Sequence, residues 1–322
     1  MRIQRRSLPL VVSLVFLAAG CTKTEAPPKP SAATTAAVTE ITRGTVSVDG
    51  IEIPYFIEGT GIPCLVTNNA RAMSRALSQE LRKTFRFIFM DMRANVPYNK
   101  EYDLEKVTLD TLLDDIELVR AAVGIDKLCV FGHSAGGLVA FEYARKYPQH
   151  TTYVIMNGTP PFWNDRAIEL TGEFWAANAS GERKAVLEQN VERMKDAVAK
   201  EPPGRTLIAN YIMNGPRYFH DPKYDPTWLF EGEFWSPELF DRIFSVIMKG
   251  YDIAERQAPS VPIFLSLGRN DYAVPYIMWD GAKEKLPGLS YNLFEKSGHY
   301  APLEEKKLFE RSHAFLKGFS MR

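Results

Sequence analysis

The sequence predicts an α/β fold: a mainly parallel central sheet with helices on both faces and a helical cap insertion. Three observations predict it. Short apolar runs bounded by turn residues alternate with segments whose apolar residues recur at helical spacing, the pattern of strands buried between helical layers. A Gly-x-Ser-x-Gly motif, Gly132-His133-Ser134-Ala135-Gly136, stands where one such run meets a helical segment. Between Pro160 and about Gln257 strand signals stop and aromatic-rich helical patterns replace them. This divides the chain into a core over 41–159 and 258–322 and a cap over 160–257.

The elements follow in order. Thr45 to Val48 and Ile51 to Ile57 flank Asp49-Gly50, a hairpin signal, because a two-residue turn between twisted strands needs positive φ. Cys64 to Thr67 and Phe85 to Met90 are apolar runs of strand length. Leu109, Leu112, Leu113, Ile116, Val119 and Val123 share one helical face, with Thr108 as cap and Gly124 as stop. Lys127 to Phe131 is a buried strand, and the helix from Leu138 to Tyr147 stops at Pro148. Val261 to Leu267 and Tyr291 to Phe294 complete the strands. In the cap, Gly181 to Lys200 is helical, and four of the five tryptophans fall there. Most of its aromatic residues pack the cap's own helices; the rest, with Trp163, Trp175 and Trp235 as candidates, roof an apolar pocket. Cys64 and Cys129 lie in strands of one sheet and are expected as buried free thiols.

The motif carries the chemistry. A backbone that turns sharply around a serine lifts Oγ clear of the sheet and leaves no room for side chains two positions away, which accounts for Gly132 and Gly136. Ser134 is therefore the candidate nucleophile. The strand ending at Leu267 runs into Gly268-Arg269-Asn270-Asp271, which puts Asp271 in a loop, and Glu295-Lys296-Ser297-Gly298-His299 puts His299 in another. A neutral imidazole at His299 takes the proton from Ser134 and returns it to the leaving group, while Asp271 orients the ring.

These three segments, with Ser297 to Glu304 as the third, resemble the nucleophile, acid and histidine segments of the α/β-hydrolase superfamily. Phe89-Met90-Asp91-Met92-Arg93 resembles the Asp-x-Arg segment after its fourth strand, and the likeness covers roughly residues 44 to 320. The closest flavour is the capped, esterase-like or proline-iminopeptidase-like group. The resemblance implies a serine hydrolase that cleaves an ester or amide through an acyl-enzyme on Ser134. Where the family carries His-Gly, this chain reads Asn68-Asn69-Ala70. Asparagine tolerates left-handed backbone angles, so the turn is expected to survive, with Ala135 N–H and either Asn69 or Ala70 N–H as oxyanion donors and an asparagine amide as a further one. Asn68 and His133 are expected in the substrate pocket. Arg93-Ala94-Asn95 lacks the glycine usual after this arginine, and Arg93 is expected as an ion-pair partner. Glu173, Glu231 and Glu233 correspond in kind to the cap carboxylates that hold a substrate amine in iminopeptidase-like relatives. Two alternatives stay open: an aminopeptidase of that type, and a non-catalytic ligand-binding lipoprotein.

Arg2, Arg5 and Arg6 precede the apolar stretch Leu8 to Ala19, and Leu17-Ala18-Ala19-Gly20-Cys21 resembles the lipobox of bacterial lipoproteins. Residues 1–20 are read as a signal peptide, Cys21 as the lipidated first residue and 21–40, rich in Pro, Ala and Thr, as a flexible tether. The expected location is the bacterial cell envelope, with the membrane reached through lipid on Cys21. Removing residues 1–20 takes the net charge from zero to minus three, so nothing supports nucleic-acid binding. His133, His150, His220 and His313 show no metal-ligand spacing, and Glu58-Gly59-Thr60-Gly61 lacks the length and lysine of a phosphate loop. No metal and no cofactor are implied; the expected partner is a small-molecule or short-peptide substrate.

Overall fold

Asp49 and Gly50 both take positive φ, 52° and 77°, the turn that matches the twist of the strands it joins. Those strands are β1 (Thr42–Val48) and β2 (Ile51–Glu58), paired antiparallel. The computed structural model describes residues 42–98 and 102–313, so Cys21 and the 21–40 segment lie outside the described residues. Beyond the hairpin come β3 (Ile62–Val66), β4 (Phe85–Met90), β5 (Leu128–His133), β6 (Thr151–Asn157), β7 (Ile263–Gly268) and β8 (Leu289–Phe294). They form one sheet in the order β1-β2-β4-β3-β5-β6-β7-β8, parallel from β4 to β8.

Side chains alternate across that sheet with period two, and both faces are buried. Leu65, Ile88, Val130 and Leu265 join one apolar core, whereas their chain neighbours Cys64, Phe87, Phe131 and Phe264 join another. The first core is covered by α2 (Leu109–Ala122) and α3 (Gly136–Lys146), the second by α1 (Ala70–Ala76) and the short C-terminal α9 (Lys306–Ser312). Thr108 caps α2 in a reciprocal pair with Thr111, and Gly124 ends it at φ 67°. Cys64 and Cys129 are register partners on adjacent parallel strands and are free, buried thiols. Arg93 is 1% exposed and forms a two-pronged pair with Asp115 at 2.6 and 2.7 Å, with Asp49 and the Tyr102 hydroxyl on its remaining nitrogen.

Between β6 and β7 the chain builds α4 (Asp165–Asn178), α5 (Gly181–Val198), α6 (Pro203–Met213) and α7 (Pro237–Asp241). Asn164, Ser180 and Ser236 cap α4, α5 and α7 by accepting a backbone N–H three residues on. Strand pairing is not wholly absent here: Phe162–Trp163 pairs with Tyr251–Asp252, closing the insertion at its base. A further short helix, α8 (Ala301–Glu304), starts two residues after His299 and precedes α9.

Candidate active site

Ser134 stands between the end of β5 and the start of α3 at φ 54°, a left-handed conformation that costs an L-residue about 1–2 kcal/mol. Its N–H donates to Asn157 O at 2.8 Å, which anchors the elbow to the neighbouring strand. A Cβ on Gly132 would lie 2.1 Å from Gly136 O, and one on Gly136 would lie 2.3 Å from the Asn68 side chain. Packing on both sides of the serine thus requires glycine, and the strain is held by the surrounding structure.

Asp271 and His299 meet, and His299 lines the same cavity as Ser134. Asp271 is fully buried; its Oδ1 accepts the N–H groups of Ala273 (2.9 Å) and Val274 (2.8 Å), and its Oδ2 lies 2.5 Å from His299 Nδ1. The carboxylate is spent on fixing the ring, which leaves His299 Nε2 as the nitrogen available for proton transfer. His299 N–H donates to Tyr218 O at 2.6 Å, and Glu304 accepts both Gly298 N–H (2.8 Å) and His220 N–H (2.6 Å), so the histidine loop is bolted to the cap. Burial raises the Glu304 carboxyl to about 7, against which its two backbone donors act.

The turn after β3 takes the conformation that asparagine allows. Asn69 lies at φ 52°, ψ 54° and caps α1, while its Oδ1 accepts Asn95 Nδ2 at 2.9 Å. Ala70 N–H is committed to Asp91 Oδ1 at 2.9 Å. Of the two alternatives for a backbone donor, that leaves Asn69 N–H, which, like Ala135 N–H, meets no acceptor among the described residues. Asn68 has a different task. Its amide pairs with both the N–H and the O of His133, at 3.4 and 3.3 Å, and so continues the β3–β5 ladder with a side chain. One of the two N–H donors of its amide is thereby used.

Asn68, Asn69, His133, Ser134, Ala135 and His299 line one cavity of about 450 Å³, with Trp163 and Trp235 in its wall. Trp175 does not line it; the residue sits behind the wall, with the Arg217 guanidinium 4.3 Å from its ring centroid and the Tyr272 ring edge-on at 5.3 Å. Placing Trp175 in the pocket is therefore corrected: its helix, α4, packs on the Asp271 loop and turns the ring toward Tyr272. The three cap glutamates lie away from the cavity as well. Glu173 is exposed beside Arg166, Glu231 is exposed, and Glu233, 2% exposed, accepts Ala72 N–H at 2.7 Å on α1. A larger cavity of about 570 Å³ beside β2 and α1 is lined by Arg43, Tyr55, Arg71 and Asp91; the one hydroxyl–carboxylate pair among the described residues of its wall, Ser74 with Glu58 at 3.1 Å, has its carboxylate engaged by Arg82.

His133 lies against the site with its ring centroid 4.6 Å from that of His299. Asn157 Nδ2, a donor, is 2.9 Å from His133 Nδ1, which assigns the proton of the neutral ring to Nε2. Burial, and next the nearby His299, push its pKa well below the usual value, so it stays neutral. Burial raises Asp91 to about 7, helped by the neighbouring Glu233 carboxylate. Both acids face the N-terminus of α1, whose N-cap is Asn69.

Sequence reasoning missed Asn157, whose amide ties together His133, His299 O and Ser266. It also missed Arg217, a cation in the cavity wall. Asn157 ends β6 as Asp271 follows β7, a position at the carboxyl edge of the sheet that marks it; Arg217 sits in an irregular cap segment with no periodic signal.

The family described as alpha/beta hydrolase fold matches residues 62–306. The chain is 30% identical over 271 residues to the AB hydrolase superfamily protein YclE of Bacillus subtilis, covering 84% of this chain and 96% of that one. It is 29% identical over 139 residues to a proline iminopeptidase of Flavobacterium johnsoniae, 42% of this chain and 41% of the relative. Among solved structures, a proline iminopeptidase-related protein of Thermus thermophilus superposes with a TM-score of 0.65 at 20% identity, covering 86% of this chain and 96% of that one, a likeness of fold alone. With its sheet order, its strained serine elbow and this match over most of its length, the chain belongs to the alpha/beta hydrolase fold family.

Proposed function

We propose that the protein is a serine hydrolase that cleaves an ester or amide bond through an acyl-enzyme on Ser134. His299 takes the Ser134 proton as Oγ attacks the carbonyl carbon and hands it to the leaving alcohol or amine. Asp271 stabilises the imidazolium formed meanwhile, and the N–H groups of Asn69 and Ala135 receive the oxyanion. Water, deprotonated by His299, then releases the acid and restores Ser134. The observation that carries this reading is the 2.5 Å contact of His299 with a spent, fully buried Asp271 at the cavity that also holds a strained serine. A fluorophosphonate labels Ser134 in the wild type and leaves Ser134→Ala unlabelled; an unlabelled wild type overturns the reading and favours a ligand-binding role.

An aminopeptidase activity rests on the likeness to a relative named proline iminopeptidase, and hydrolysis of prolyl or alanyl anilides in preference to simple esters would establish it. The proposed location is the cell envelope, through lipid on Cys21. Wild type then partitions with membranes, Cys21→Ser does not acquire lipid, and a chain beginning at Ala37 is soluble with the same activity. Mass spectrometry finding an unmodified Cys21 in the mature protein refutes the anchor.

A further inference from the structure

Arg217 is the one permanently charged side chain among the described residues that line the cavity of Ser134 and His299. Its guanidinium rests over the Trp175 ring and meets no carboxylate or carbonyl among the described residues. The contrast with Arg183 is instructive. That guanidinium is spent on the carbonyls of Pro216 (2.6 Å), Phe219 (2.7 Å) and His220 (2.5 Å), and so clamps the backbone on both sides of Arg217. Arg217 O accepts Tyr272 N–H at 2.9 Å, next to Asp271, and Tyr218 O accepts His299 N–H. The backbone that carries the unpaired cation is thus fixed to the two loops that carry Asp271 and His299.

A guanidinium offers five donors in a planar fork that matches a carboxylate, and its attraction strengthens where aromatic walls exclude water. Tyr211, Tyr218, Trp235 and Phe244 supply such walls. A substrate ammonium group, in contrast, finds no counter-ion here, because Asp271 is fully used and Glu173, Glu231 and Glu233 do not line the cavity. From this we infer that the substrate bears a carboxylate in its acyl or leaving portion and that Arg217 binds it, an inference that rests on the hydrolase reading of the same site.

The test compares the mono-p-nitrophenyl ester of glutaric acid with p-nitrophenyl valerate, a pair matched in chain length that differs in one carboxylate. The wild type prefers the glutarate ester, and Arg217→Met lowers the ratio of the two kcat/KM values about 10- to 100-fold, mainly through KM, the scale of a charge-assisted hydrogen bond. An unchanged ratio, or a wild type that prefers a substrate with a free amine, overturns the inference. Binding is read separately in Ser134→Ala by titrating tryptophan fluorescence with glutarate. A saturable change that Arg217→Met abolishes supports the anion subsite; no saturable change up to about 10 mM, the limit of weak binding, overturns it. Failure of fluorophosphonate labelling strikes the hydrolase reading alone, since the titration needs no reaction.

Discussion

Asn69 does two things at once, and substitution separates them. Its backbone supplies a left-handed turn and, in the mechanism proposed above, an N–H for the oxyanion, while its side chain holds Asn95 through a buried hydrogen bond at 2.9 Å. Asn69→Gly keeps the backbone donor and accepts positive φ without strain, but orphans the Asn95 amide, a cost of about 1–3 kcal/mol. Relief of the residual left-handed strain offsets part of that, so the net loss of stability is about 0–2 kcal/mol. Asn69→Ala loses the same hydrogen bond and adds about 1–2 kcal/mol of backbone strain, for a total of about 2–5 kcal/mol. Urea unfolding gives both numbers. On the best ester, kcat of Asn69→Gly stays within about tenfold of wild type, because removing a true oxyanion donor costs about 10²–10³. Asn69 Nδ2 meets no acceptor among the described residues and is the rival donor. A fall in kcat beyond roughly a hundredfold in Asn69→Gly, with the unfolding midpoint near that of wild type, would refute the assignment to the backbone.

Ser134→Ala, His299→Ala and Asp271→Asn each lower kcat about 10³-fold or more, and the Ser134–His299 double variant is little worse than either single one because the three act as a unit; additive losses argue against the shared mechanism. Asp91, raised to about 7 from 3.8, keeps a proton in the folded state that the unfolded chain has released, so stability falls as pH rises between about 4 and 7. Asp91→Asn preserves an acceptor for Ala70 N–H and removes this titration, which narrows the Tm difference between about pH 5 and pH 8; Glu304, also raised to about 7, keeps it from vanishing, and an unchanged difference counts against a buried proton on Asp91. Arg93→Ala leaves Asp115 buried without its partner and costs about 3–5 kcal/mol by urea unfolding, whereas a loss under about 1 kcal/mol shows that the pair is not isolated from water.

Much of this molecule is legible along the chain because its signals are local. Asp49-Gly50 specifies its turn by φ alone, Thr108 and Gly124 bracket α2 by capping chemistry, and Gly132-x-Ser134-x-Gly136 writes a strained elbow into five residues. Ser134, Asp271 and His299 also declare themselves, since each follows a strand of the sheet and the fold brings those strand ends to one edge. Asn69 is legible for the same reason, as a left-handed turn that a β-branched residue could not make. The cap is not. Which of its aromatic rings reach the cavity depends on how α4 to α7 lie on the sheet, a matter of packing between segments far apart in sequence, and so Trp163 and Trp235 face inward while Trp175 faces Tyr272. Charges in the cap follow the same rule. Glu233 turns from the cavity to the N-terminus of α1, and Arg217 lines it, because Arg183 pins the surrounding carbonyls and the loops of Asp271 and His299 pin its backbone. The candidate nucleophile, base and orienting acid can be picked out from the chain alone, because turn conformation and the strand-then-loop pattern are encoded in a few neighbouring residues; the charge that lines the cavity cannot, because it depends on which side chains are left without a partner once segments far apart in sequence have packed.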